Sequence, residues 1–247
     1  MIFPTLTRIY RWCRDRKRQV DKYTRWPPVG ALELGDLRRL TPVSKNFGLD
    51  RGQPIDRYYI EKFLDRHAAD IRGRVLEIGD PRYTRRFGGN RVTRSDVLHV
   101  NLQKPDVTII GDLTAADHVP SEAFDCLIVT QTLQCIHDVK AALATCCRIL
   151  KPGGIMLATF PGISRIARPS FGETWEDNWR FTKTGAEKLF KEAFPGGQVQ
   201  VEAYGNVLSA IAFLHGLAAA ELAPEELDYQ DQDFECLLAV RAVKQAA

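Results

Sequence analysis

Apolar residues change period repeatedly along the chain. From residue 54 onward, Ile55, Tyr58, Tyr59, Phe63 and Leu64 recur at helical intervals and predict an amphipathic helix ending near Ile71-Arg72-Gly73, with glycine as its stop. Residues 74–79 then read as a buried strand running into a turn. Further strand signals fall at 92–100, 107–111, 124–130, 155–160, 198–204 and 234–242, and helical signals at 139–150, 184–193 and 206–222. Lys151-Pro152-Gly153-Gly154 closes the first of those helices, because proline cannot continue a helix and glycine tolerates a left-handed cap. A polar, Trp-rich stretch at 161–181 carries neither period. Strands alternating with helices predict an α/β fold: a Rossmann-like, doubly wound, mainly parallel seven-stranded sheet with helices on both faces.

At the N-terminus Phe3, Leu6, Ile9, Tyr10 and Cys13 recur at helical spacing with arginines between them, the pattern of a basic amphipathic helix. Trp26-Pro27-Pro28 breaks it. We therefore read 1–30 as an N-terminal arm and 31–247 as one domain, with 31–73 as a lid and helix, 74–160 as one half and 161–247 as the other.

Charge sharpens that division. The net charge of the chain is +3, yet residues 1–25 hold eight Lys/Arg against Asp15 and Asp21, a net of +6, which leaves the remainder at −3. Such an arm can lie on an anionic membrane surface, pack its stripe on its own domain, or grip a nucleic-acid backbone. The acidic remainder disfavours a large phosphate-tracking surface, and hence nucleic acid as the partner. No run approaches the length of a membrane span and no secretory signal pattern is present, so the expected location is cytoplasmic, with peripheral membrane contact through 1–25. The six cysteines show no Cys-x-x-Cys spacing and read as plain thiols, and no metal site is indicated. The chain length admits a homo-oligomer without predicting one.

The chemistry turns on the residues just past the first strand. A dinucleotide site needs three glycines there: one for a tight turn, one for close approach of pyrophosphate, one for helix packing. Only Gly79 remains, with Asp80-Pro81-Arg82-Tyr83 where the others would stand. That disfavours pyrophosphate, and with it a nicotinamide-dependent oxidoreductase. A phosphate-free ligand escapes the second requirement, and a cationic one favours acids around the turn. S-adenosylmethionine meets both conditions, and Glu77, Asp80, Asp96 and Asp112 stand near the first three strands.

Leu76-Glu77-Ile78-Gly79, Gly111-Asp112-Leu113, Phe124-Asp125-Cys126-Leu127-Ile128-Val129, Thr132-Leu133-Gln134-Cys135-Ile136-His137-Asp138 and Arg148-Ile149-Leu150-Lys151-Pro152-Gly153-Gly154 occur in that order. With them the chain resembles the class I S-adenosylmethionine-dependent methyltransferases, in particular their type 11 small-molecule and glycan branch, over about residues 70–195. The resemblance implies S-adenosylmethionine as cofactor. It implies Gly79 beside the methionine part, Asp96 on the ribose hydroxyls, Asp112 and Leu113 at the adenine, and Thr130 and Gln131 on the floor. Glu77 and Asp80 flank the turn, and Arg82 either meets the cofactor's carboxylate or blocks the site. The first crossover, between Gly79 and Val92, has room for one helical turn, and the next has room for no helix.

Methyl transfer to a hydroxyl needs a base, and His137, just past the fourth strand, is the expected catalytic residue. His99, near the end of the second strand, is the runner-up. Arg57 and Tyr58, Trp175, Trp179 and Arg180, and Tyr204 are expected to form the acceptor walls, since aromatic faces with arginine and aspartate between them suit a polar ring. The predicted function is O-methylation of a glycan, glycoside or related natural product. The alternative is a non-catalytic binding or scaffold module with a degenerate cofactor site.

Overall fold

The structure is a computed structural model that describes residues 4–24, 26–100, 105–169 and 175–246, with backbone alone at 4–7, 22 and 23. The chain forms two compact units, Met1–Thr41 and Pro42–Ala247. In the first, the predicted basic helix is α1, Pro4–Thr24. Ile9, Tyr10, Trp12 and Val20 are exposed on it. Phe3 and the side chain of Leu6 lie outside the described residues. Among the described residues no helix is long and apolar enough to cross a membrane.

The second unit is built on a seven-stranded sheet. Its strands are β1 (Gly73–Ile78), β2 (Val92–His99), β3 (Ile109–Ile110), β4 (Phe124–Thr130), β5 (Leu150–Pro161), β6 (Gln198–Tyr204) and β7 (Leu237–Val243). The order across the sheet is β3-β2-β1-β4-β5-β7-β6. Every pair from β3 to β5 is parallel, and β7 runs antiparallel between β5 and β6. The predicted fold class is observed.

Alternation along β4 explains the two layers. Cys126 and Ile128 face one cluster with Ile55, Tyr59, Phe63 and Leu64 of α2 (Ile55–Arg66) and Phe213 of α5 (Val207–Leu214). Leu127 and Val129 face the other, with Ala142, Leu143 and Cys146 of α3 (Val139–Ile149) and Phe190 of α4 (Lys183–Ala193). A period of two places successive side chains on opposite faces, so a strand covered on both sides must be apolar at nearly every position. Asp138 caps α3 through the Ala141 amide at 3.0 Å and Thr182 caps α4 through the Gly185 amide at 3.2 Å, satisfying donors that a helix leaves open.

The crossover from β1 to β2 contains only a five-residue helical turn, Thr84–Gly88, and a short 3-10 turn, Gly89–Arg91, as its length required. The expected helix at 206–222 is shorter than its apolar run. It ends at Leu214, because Gly216 takes φ +69° and turns the chain; a 3-10 turn at Ala219–Glu221 and α6, Pro224–Asp228, follow.

Candidate active site

The strands from β1 to β5 point their carboxyl ends toward one side, and the order reverses at β1, whose neighbours β2 and β4 carry chain away in opposite directions. A crevice forms at such a point. Here it is a cleft of about 1140 Å³, reached by Gly79 after β1, His99 at the end of β2, Asp112 after β3, and Thr130 and Gln131 at the end of β4.

Gly79 has φ +94°, and no atom lies within 4 Å of where a Cβ would stand. The turn therefore both requires glycine and leaves open space beside it. Glu77, expected to meet the ligand, reaches the cleft lining, and its carboxylate also holds the loop. It is 2% exposed and accepts the Tyr83 amide at 3.1 Å and the Thr84 amide at 2.7 Å. Burial pushes it up to about 7, against those two amides. The Pro81–Tyr83 turn does not plug the notch. Tyr83 is buried with its ring 6.1 Å from that of Phe87, whereas Asp80 and Arg82 stay half-exposed on the cleft, paired at 3.4 Å. Close helix packing, the task of the third glycine in a dinucleotide site, falls here to Gly88. A Cβ there would lie 2.3 Å from Cγ2 of Val92. The sequence reading missed this glycine because it stands outside the motif spacing.

Asp96 is a correction. It pairs with Leu76 in mid-sheet, is 1% exposed, and takes Arg74 Nε at 2.7 Å, Arg94 Nη2 at 3.1 Å and the Thr108 hydroxyl at 3.2 Å. Burial opposes its charge, yet the two arginines hold its pKa below the usual range. It braces the sheet and does not reach the cleft. The β2 residues at the cleft edge are Leu98 and His99. Asp112 does reach the cleft; its Oδ1 accepts the Thr114 amide at 2.8 Å and hydroxyl at 2.9 Å, and Leu113 is buried beside it. Gln131 adopts φ +48°, and its side chain accepts from Gln134 Nε2 at 3.1 Å. The Gln134 carbonyl in turn accepts the Asn178 and Trp179 amides, tying the 175–181 segment to the β4 loop.

On the far side of the cleft the expected walls divide. Arg57, Trp175, Arg180 and His137 line it. Trp179 does not, because its indole donates to the Ile136 carbonyl at 3.0 Å and its ring sits 6.0 Å from that of His137. Tyr58 turns away to donate to Asp228 at 2.8 Å. Tyr204 is core: it is 3% exposed, stacks on Tyr59 at 5.5 Å and bonds Glu202 at 2.7 Å. Arg180 lines the cleft with both terminal nitrogens occupied, by Asp177 at 2.6 and 2.8 Å and by the Arg165 carbonyl at 2.6 Å, while its Nε is buried without a partner among the described residues. Burial opposes the Asp177 charge, but Arg180 and the Ala167 amide hold its pKa below normal. Asp56, at the start of α2, belongs to the Asp50–Tyr59 stretch whose arginines, aspartates and tyrosines suggested an acceptor wall. Its carboxyl lines the cleft, accepts the Arg57 amide at 2.8 Å, and is pushed up to about 6 by burial.

Residues 79–158 match the family model of the methyltransferase domain. The chain carries the class I S-adenosylmethionine-dependent methyltransferase fold. Solved structures of this fold class cover more than three quarters of the chain. A methyltransferase of this kind from Mesorhizobium loti is 19% identical, covering 80% of this chain and all of that one, with a TM-score of 0.50. Phosphoethanolamine N-methyltransferase 2 of Haemonchus contortus, in complex with S-adenosyl-L-methionine, is 16% identical over 77% of this chain and 53% of that one, at 0.52. The [4+2]-cyclase SpnF is 16% identical over 77% and 82%, at 0.51. None of the curated proteins matches the sequence. Likeness at this level carries the methyltransferase fold, and the presence of a cyclase among the neighbours means that acceptor and reaction must be argued from the side chains.

Proposed function

We propose that the chain transfers a methyl group from S-adenosylmethionine to a hydroxyl of a small acceptor, a glycan, glycoside or related natural product. The observation that carries this reading is the left-handed Gly79 turn with open space beside it, flanked on the cleft by Asp80 and Asp112. The residues suited to hold the cofactor are Gly79, Asp112, Leu113, Thr130 and Gln131, with Arg82 at the rim for its carboxylate. Bound there, it supplies an electrophilic methyl on a sulfonium, which becomes a neutral thioether as the acceptor oxygen gains the methyl. The chain has to align the acceptor, a contribution worth about 7–11 kcal/mol in well-oriented reactions, and to take the hydroxyl proton. His137, exposed on the cleft, is the assigned proton acceptor.

Calorimetric titration with S-adenosylhomocysteine tests the reading; neither heat nor thermal shift at millimolar ligand would end it in favour of the scaffold role. Gly79→Val places a branched side chain in the open space at a disfavoured φ, and is expected to weaken that binding at least ~10-fold, about 1.4 kcal/mol. His137→Ala is expected to leave the binding intact and slow transfer by about 10²–10⁴. The basic arm is proposed to hold the protein on anionic membranes: removal of residues 1–25 should abolish sedimentation with phosphatidylserine vesicles without changing S-adenosylhomocysteine affinity.

A further inference from the structure

Arg165 follows β5, so β4 separates it from the β1 and β2 ends where the nucleoside is assigned. It lines the same cleft. Its guanidinium lies 3.7 Å over the centre of the Phe47 ring, and Phe47 packs in turn on Phe213 at 6.3 Å. Its backbone is held by Arg180, which donates to its carbonyl at 2.6 Å. The other cleft arginines on either side are compensated, Arg180 by Asp177 and Arg82 by Asp80. Arg165 is not. Its Nε is buried without a hydrogen-bond partner, and burial alone lowers its pKa, with no carboxylate among the described residues raising it. Arg57, in the same cleft, also makes no ion pair among the described residues, and among them Asp56 beside it accepts from backbone amides alone.

An arginine that merely covers an apolar ring keeps its head in water. This one gives up hydration at Nε and gains only a ring face, worth about 0.5–2 kcal/mol, while no described residue accepts from its guanidinium. Burying a cation without a partner is unfavourable, and an arriving oxyanion would recover that deficit through charge-assisted, in-plane hydrogen bonds.

We propose that Arg165, seated on Phe47, is an oxyanion anchor on the acceptor side of the cleft, so that the molecule methylated carries a carboxylate or a phosphate monoester. That the anion belongs to the methyl acceptor rests on the methyltransferase reading; the anion site does not.

The test is calorimetry on the full chain, with and without S-adenosylhomocysteine, using benzoate, phenyl phosphate and the neutral benzamide as probes. Benzoate or phenyl phosphate is expected to bind in the millimolar range and benzamide not at all, and the tighter of the two anions names the group. Arg165→Gln should weaken the anion about 10–100-fold, the equivalent of a charged hydrogen bond, and leave S-adenosylhomocysteine affinity unchanged. Phe47→Leu, which keeps the side chain apolar, should weaken it about 3–10-fold and covers the case in which Arg165→Gln fails to fold. Equal binding of the anions and benzamide, anion binding indifferent to both variants, or loss of S-adenosylhomocysteine in Arg165→Gln would overturn the proposal. If S-adenosylhomocysteine does not bind the wild type while anion binding depends on Arg165, the methyltransferase reading fails and the anion site stands.

Discussion

Glu77→Ala is expected to lose about 2–5 kcal/mol of stability, because it strips the acceptor from two buried amides at once. The Tyr83 and Thr84 N–H groups open the Thr84–Gly88 turn, both residues are buried, and Glu77 accepts from them with one oxygen each. A buried donor left unsatisfied costs about 1–3 kcal/mol. Against a total stability of about 5–15 kcal/mol this is a large fraction, so the urea midpoint should fall sharply. The loop that displays Gly79, Asp80 and Arg82 should loosen with it, lowering S-adenosylhomocysteine affinity. A midpoint at the wild-type value would remove Glu77 as the anchor of this loop.

The same residue imposes a pH dependence. Its carboxyl sits near 7 in the folded chain against an ordinary 4.5, raised by burial, so the folded state binds its proton more tightly than the unfolded state does. The contribution is therefore fully present below about 4.5 and declines as pH rises through about 7. Asp56, raised to about 6 from 3.8, adds a loss of the same sign in a lower window. Stability measured between pH 5 and pH 8 should fall, and Glu77→Gln should flatten the upper part of the decline while leaving the Asp56 part.

The second large effect belongs to Asp177 and Arg180. Asp177 is 2% exposed at its side chain and is held by a bidentate arginine and one amide. Arg180→Ala leaves that carboxylate buried with the Ala167 amide alone, and breaking a buried pair from one side costs about 3–5 kcal/mol. It also frees the Arg165 carbonyl. Asp177→Asn combined with Arg180→Gln should cost less than the two single changes added together, with a coupling energy of about 0.5–3 kcal/mol in a double-mutant cycle. If Arg180→Ala instead raised KM for the acceptor with no change in thermal midpoint, Arg180 would be an acceptor ligand and not a clamp.

These two expectations mark how far the sequence could be read. Alternation at Cys126 to Val129 and helical spacing at Ile55 to Leu64 are local properties, and they foretold strands, helices and both layers of the core. The scarcity of residues between Gly79 and Val92 foretold a one-turn crossover by simple reach. The register of β2 was not local. Residues 92–100 carry strand character throughout, and only pairing of Leu76 with Asp96 and Ile78 with Leu98 puts Asp96 in mid-sheet and His99 at the edge.

The side-chain partners of the cleft were further out of reach. That two amides of its own loop use both oxygens of Glu77 could not be read from the sequence, and Tyr204 looked like a wall until Tyr59 and Glu202 claimed it. Arg165 and Phe47 are distant in sequence, and neither belongs to a motif. Composition and periodicity determined the sheet, its order of elements and the glycine of the first turn, because those follow from short-range sterics and from which faces must be dry. Which carboxylates and guanidinium groups remain available for chemistry was decided by the tertiary structure alone, because a charged group is free or spent according to neighbours that only folding brings within hydrogen-bond distance.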